Sequence, residues 1–217
     1  MLKEFIDKFY EESERADKER DYFYVSEAGK CPRAVFYSVK QAPKKPMEPR
    51  AIRVLAVGDY MHMRLVGVLA SMGVLRSAEV DIAKQNLVHG RADAIVSINN
   101  ELYVVDFKSI NSNAFKYLNE PKSEHIKQVQ LYMHFFQIPR AIILYECKDK
   151  SEILEFLVDY DKKICENLLK SLGVIMEQVK AGVIPAIPRD LESWQCEYCA
   201  YSDICRKHEA EGIRNWQ

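Results

Sequence analysis

Three residues frame a possible reaction centre: Asp93, Asp106 and Lys108. Residues 88–98 and 102–109 are rich in β-branched and aromatic side chains and predict two strands, with Asn99-Asn100 as the turn between them. If those asparagines are the two central turn residues, Ile98 faces Glu101, and counting back along both strands sets Asp93 opposite Asp106 on one face. Cβ atoms at opposed positions lie about 4.5–5.5 Å apart, and like charges there are destabilising unless something offsets them. Mg²⁺ or Mn²⁺, which prefer hard oxygen ligands, would do so. Lys108, two positions beyond Asp106, points to the same face. This set suits phosphodiester hydrolysis: the metal polarises the phosphate and acidifies bound water, while the lysine orients that water or steadies developing charge. An isolated Asp-x-Lys on a strand is usually no more than a polar face. Here the apolar run Leu102-Tyr103-Val104-Val105 precedes Asp106, Gly90 before Asp93 permits close approach, and the register pairs the acids. A three-residue loop through Glu101 would break that opposition.

The second group with chemistry is sulfur. Cys196, Cys199 and Cys205 cluster near the end of the chain, and Cys31 offers a fourth thiol from the other end. Four thiolates suit zinc and iron–sulfur centres alike. Cys147 and Cys165, in an apolar strand and helix, read as core residues. The N-terminus reads as an amphipathic helix rather than a signal peptide, and no apolar run nears the roughly 20 residues that span a bilayer. The expectation is therefore a soluble cytoplasmic protein without membrane contact, whose thiols are free or metal-bound rather than paired.

Helices must carry the rest. They are predicted over about 2–22, 25–40 (opened by a Ser26 N-cap and carrying Cys31), 51–72 (with His62 near its middle), 124–136 and 161–180. Further strands are predicted over 79–82, 141–147 and 153–158, giving a mixed central sheet flanked by helices, an α/β or α+β fold. The proline-rich, basic stretch 41–50 reads as a stiff linker or a phosphate contact, and the segment after residue 180 as an irregular appendix. With 217 residues, 48% of them apolar, the chain can bury its own core as a single domain. Lysine and arginine total 31 against 32 acidic residues, which excludes a general nucleic-acid coating protein; any DNA must lie in a local groove.

The set Gly90-Arg91-Ala92-Asp93, Asp106-Phe107-Lys108 and Gln128-Val129-Gln130-Leu131-Tyr132 resembles the RecB-like branch of the PD-(D/E)XK nuclease superfamily. The likeness runs from about Tyr24 to Arg206 with the motifs in order. It implies a restriction-endonuclease-like core at 76–180, a helical part at 1–75 and a cysteine-rich segment at 181–217. It also implies metal ligation by His62, Asp93, Asp106 and the Phe107 carbonyl. Gln128 and Tyr132, four apart on one helix face, would touch DNA or support Lys108. Glu79 matches a position that is often acidic, with Asp81 as a nearby rival, and the superfamily's proline is absent before Asp93. One early cysteine plus the late Cys-x-x-Cys-x₅-Cys resembles the iron–sulfur staple of AddB-type nucleases and of small CRISPR-associated RecB-like exonucleases. This implies a cluster, most simply [4Fe–4S], held by Cys31, Cys196, Cys199 and Cys205. The chain is too short for an AddB-type polypeptide, and its size matches the second group. That group implies an Mg²⁺- or Mn²⁺-dependent exonuclease cutting single-stranded DNA 5′→3′ and trimming spacer precursors for the CRISPR integrase complex. A stand-alone phage, archaeal or mobile-element nuclease and a non-catalytic DNA-end-binding scaffold are the alternatives.

Overall fold

The computed structural model describes residues 1–13, 20–83 and 87–216. In chain order these form α1 (Leu2–Ser13), β1 (Phe23–Tyr24), α2 (Pro32–Val39), α3 (Pro49–Ser71), β2 (Leu75–Asp81), β3 (Val88–His89), β4 (Arg91–Ile98), β5 (Glu101–Ile110) and α4 (Ser112–Lys116). There follow α5 (Ser123–Phe136), β6 (Arg140–Cys147), β7 (Ile153–Asp159), α6 (Lys162–Ala181), α7 (Ser193–Glu197) and α8 (Ser202–Ala210).

The β4–β5 hairpin closes where the asparagines predict. Asn99 and Asn100 adopt φ of 52° and 66°, left-handed values that Asn tolerates and that match the twist of the flanking strands. The register runs from Ile98 opposite Glu101 to Ala94 opposite Val105. The five-stranded sheet has the order β2-β4-β5-β6-β7, with β5 and β6 parallel and every other pair antiparallel. It is the mixed, helix-flanked α+β sheet that the sequence implied.

Its two faces carry different helices. On one, Met61 and Leu65 of α3 pack against Ala94, Val96, Val105 and Phe107. On the other, Val129, Leu131 and Met133 of α5 and Leu168 and Leu172 of α6 cover Val104, Ile143 and Tyr145. Strand alternation divides β5 between these cores, so Asp106 and Lys108 fall on the α5 side. α3 is tied down near its start and at its middle: Arg53 pairs with Asp7 of α1, Lys148 Nζ donates to Val54 O at 3.1 Å, and Arg64 pairs with buried Glu146 of β6.

Several elements differ from expectation. The first helix ends at Ser13; residues 14–19 of the predicted span lie outside the described residues, and residues 20–22 are not helical. The predicted helix 25–40 is two pieces, a 3₁₀ turn at Val25–Glu27 and then α2. Pro32 has no N–H with which to continue a helix, and Gly29 reverses the chain at φ 75°, so Cys31 becomes the N-cap residue of α2 and Ser26 caps nothing. The strand predicted over 88–98 breaks at Gly90, where an added Cβ would lie 2.5 Å from Val25 Cγ2. Gly90 therefore makes room for the 3₁₀ turn, not for a ligand. The appendix is more ordered than predicted, with α7, α8 and an antiparallel bridge between Val183 and Asn215. Among the described residues no helix is long and apolar enough to cross a membrane.

Candidate active site and cysteine cavity

β4 and β5 stop pairing after Ala94 and Val105, and at that point the side chains take over. Asp93 Oδ2 accepts the backbone N–H of Phe107 at 2.7 Å, and its Oδ1 lies 3.5 Å from His62 Nδ1 of α3. Lys108 Nζ stands 2.8 Å from Asp106 Oδ2 and donates to Gln128 Oε1 of α5 at 3.0 Å. Tyr132, one turn beyond Gln128, donates its hydroxyl to Arg91 O at 2.8 Å and so braces α5 on the start of β4. The structure thus brings together Asp93, Asp106, Lys108, Gln128, Tyr132, His62 and Phe107, with the Phe107 ring buried beside the His62 imidazole, 5.7 Å between centroids. Glu79 lies apart from this group, its carboxylate 2.6 Å from Arg91 Nε.

Burial sets the electrostatics. Asp106 is 2% exposed, and desolvation raises its pKa to about 6 although Lys108 pulls the other way; the charge of Asp93 adds to the rise. The Lys108 ammonium is near Asp106 Oδ2 but not along a hydrogen-bonding direction, so this oxygen has a cation for a neighbour and no aligned donor. Burial would lower the His62 pKa, but the hydrogen bond and charge of Asp93 outweigh it and the net shift is upward.

A cleft of about 300 Å³ opens beside Lys108, lined also by Asp59, His62, Lys122, His125 and Tyr145. Tyr145 Oη accepts the Lys122 backbone N–H at 3.0 Å and stands 2.6 Å from His125 Nδ1. Burial and the nearby charges of Lys108, Lys122 and Lys30 push the His125 pKa down to about 3, so it is a neutral imidazole at the mouth of the site. The sequence reading missed it, although its place three residues before Gln128 puts both on one face of α5.

Cys31, Cys196, Cys199 and Cys205 line one cavity of about 670 Å³, whereas Cys147 and Cys165 are buried in the core. Burial raises the Cys31 and Cys199 thiols; backbone N–H groups offset this and neighbouring cysteines add to it. Arg33, also missed, ties the cavity to the rest of the fold. Its buried guanidinium donates to Pro185 O at 2.6 Å, pairs with Glu209 at 2.5 Å and lies 3.8 Å from Cys205 Sγ. Lys45 N donates to Ala200 O at 2.8 Å, so the proline-rich stretch is a strap over the cysteine segment. Among the described residues no three His, Cys, Asp or Glu side chains stand in a metal-holding arrangement. The four thiols face one space without closing on a centre.

The family model of the PD-(D/E)XK nuclease superfamily matches residues 2–206. The CRISPR-associated exonuclease Cas4 of Saccharolobus solfataricus is 28% identical over 94% of this chain and 98% of its own length. The crystal structure of SSO0001 superimposes with a TM-score of 0.61 at 27% identity, covering 95% of this chain and 97% of that one. An alkaline exonuclease from Laribacter hongkongensis shares the fold, with a TM-score of 0.54 at 10% identity over 95% of this chain and all (100%) of that one.

Proposed function

The chain belongs to the PD-(D/E)XK nuclease superfamily, and on that premise we propose that it is an exonuclease cutting single-stranded DNA from 5′ ends with Mg²⁺ or Mn²⁺. The observation that carries this reading is the convergence of Asp93, Asp106 and Lys108 at the point where β4 and β5 part, with a buried Asp106 oxygen that lacks an aligned donor.

By donor type these residues suit a hard divalent ion, which would have to draw them together, since the described residues do not themselves stand in a metal-holding arrangement. Asp93 and Asp106 offer carboxylate oxygens, His62 an imidazole beside Asp93, and the Phe107 carbonyl would complete the set. When bound, such an ion polarises the scissile phosphate and acidifies a water. The protein does the remainder. Lys108, held between Asp106 and Gln128, steadies the negative charge that develops on the phosphate. Gln128 fixes the lysine, and Tyr132 fixes α5 against β4.

Cys31, Cys196, Cys199 and Cys205 are assigned to an iron–sulfur cluster, [4Fe–4S] in the simplest case. Support comes from their shared cavity and from the Cys31 and Cys199 thiols, which burial raises and which a metal would take as thiolates. The described residues do not themselves form a metal-holding arrangement, so the cluster would draw the thiols together. One domain spanning 1–217 would thus carry a helical part (1–75), a nuclease core (76–180) and the cysteine segment (181–217). The likeness to a CRISPR-associated exonuclease favours cytoplasmic work on spacer precursors alongside the integrase complex.

Anaerobic purification, an absorbance spectrum with iron and zinc analysis, and incubation with end-labelled single-stranded DNA test both halves. A brown protein that degrades DNA from 5′ ends only with Mn²⁺ is expected. A colourless zinc protein that binds DNA without cutting it would overturn the reading in favour of a scaffold.

A further inference from the structure

The cavity of about 670 Å³ is open and larger than a handful of iron and sulfur atoms needs, so its rim has room for a further ligand. Trp194 and Tyr198, 51% and 85% exposed, stand on its rim together with Lys30, Lys44 and Arg206. Tyr198 lies inside the Cys-x-x-Cys sequence, so the turn that presents Cys196 and Cys199 presents aromatic surface as well. Two acids on the same walls are engaged: Arg20 grips Glu27 with two bonds of 2.6 and 2.8 Å, and Arg33 and Arg214 hold Glu209. Glu192 accepts the Trp194 indole N–H at 2.9 Å and Glu124 is half-exposed, so the rim sets Lys30, Lys44 and Arg206 and two aromatic rings beside these two acids.

This rim adjoins the active-site cleft. Glu124, in the first turn of α5, lines the cysteine cavity, while its neighbours Lys122 and His125 line the cleft beside Lys108. Lys30, on the cavity wall, is near enough for its charge to act on His125. One short turn separates the two spaces.

Resting on the nuclease reading above, we propose that the cysteine segment carries a stacking platform for single-stranded DNA. Successive bases lie on Trp194 and Tyr198, and the backbone passes Lys30 and Lys122 into the cleft at Lys108. Aromatic rings interleaved with cations bind single strands without regard to sequence, because every base has a face to stack and every linkage a charge to pair. Lys30, Lys44, Arg206 and Lys122 along this path favour a polyanion as the occupant.

Tryptophan fluorescence tests this in the intact protein. Oligothymidylate titrated in chelator, where no cutting occurs, should quench the emission in a saturable and salt-sensitive manner. Trp194→Phe should remove most of that quench, since the other tryptophan, Trp216, packs against Phe36 and Tyr37. Trp194→Ala and Tyr198→Ala should each weaken binding by about tenfold. The exposure of Tyr198 makes its variant safe against misfolding, which circular dichroism checks. Bound oligothymidylate that leaves Trp194 emission unchanged, or wild-type affinity in both alanine variants, would overturn the proposal and give the rim to a protein partner. Quenching without cleavage on adding Mn²⁺ would support the platform while refuting the nuclease reading; cleavage without quenching would do the reverse.

Discussion

Lys108→Met keeps the aliphatic stem of the side chain and removes the charge that lies 2.8 Å from a carboxylate only 2% exposed. At an effective dielectric constant near 20 the lost attraction is about 6 kcal/mol, but the net cost is capped because Asp106 can take up a proton. Its pKa in the folded protein is already raised from 3.8 to about 6, and without Lys108 it must rise further. The folded state then holds this proton more tightly than the unfolded chain, so stability falls as pH rises through the interval between the two values. At pH 5 the carboxyl is mostly protonated in both proteins, and the variant should match the wild type. Each further unit of pKa costs about 1.4 kcal/mol above that pKa, so a two-unit rise gives a deficit of about 2 kcal/mol at pH 8, where the variant's carboxyl is half ionised. Urea unfolding followed by circular dichroism in chelator at pH 5, 6.5 and 8 measures this. Cleavage, assayed with Mn²⁺, should drop by about 10²–10³. A deficit independent of pH, or a fully active Lys108→Met enzyme, would refute the reasoning.

Asp93→Asn keeps an acceptor for the Phe107 N–H, 2.7 Å away, and should fold normally yet lose cleavage; Asp93→Ala should in addition cost about 1–3 kcal/mol in urea unfolding. Gln130 is 1% exposed and bonds Asp159 O and Asp161 N, both at 2.8 Å, so Gln130→Leu should cost about 2–4 kcal/mol while turnover per folded molecule is retained. Arg33→Met strands Pro185 O and should loosen the cysteine segment by about 1–3 kcal/mol, seen as faster hydrogen exchange in α8 than in α5. Cys199→Ala should lose iron on metal analysis and, because α8 is held by protein contacts, keep its helix content by circular dichroism.

The hairpin was legible because local rules fix it: asparagines at a two-residue turn, β-branched residues on both sides, and a period of two that carries Asp106 and Lys108 to one face. The expected pairing of Asp93 with Asp106 fails because the ladder ends at Ala94 and Val105, and Asp93 turns to the Phe107 N–H and His62 instead. His62, Gln128 and Tyr132 came from family likeness, since nothing in a helix sequence says which strand it will cross. The break before Cys31 was legible in principle, because Pro32 cannot continue a helix, but the apolar frame of Ala34, Val35 and Tyr37 outweighed it. Arg33 and His125 escaped for a different reason. The partners of Arg33, Pro185 and Glu209, are more than 150 residues away, and the neutrality of His125 comes from burial and from lysines that include Lys108 and Lys30 of other elements. Such roles exist only once the chain has folded.

The active site and the cysteine cavity are not mechanically independent. Val25 fills the space that Gly90 leaves just before Asp93, and Gly29 passes so close to α5 that an added Cβ would lie 2.2 Å from Lys127 Cδ, beside Gln128. Both residues belong to the turn that ends in Cys31. A cysteine bound at this point would hold the turn, and with it the approach of α5 to β4 on which the Tyr132–Arg91 and Lys108–Gln128 bonds depend. Losing the bound centre would therefore act on turnover through the positions of Asp93 and Gln128, and leave the buried surroundings of Asp106 as they are.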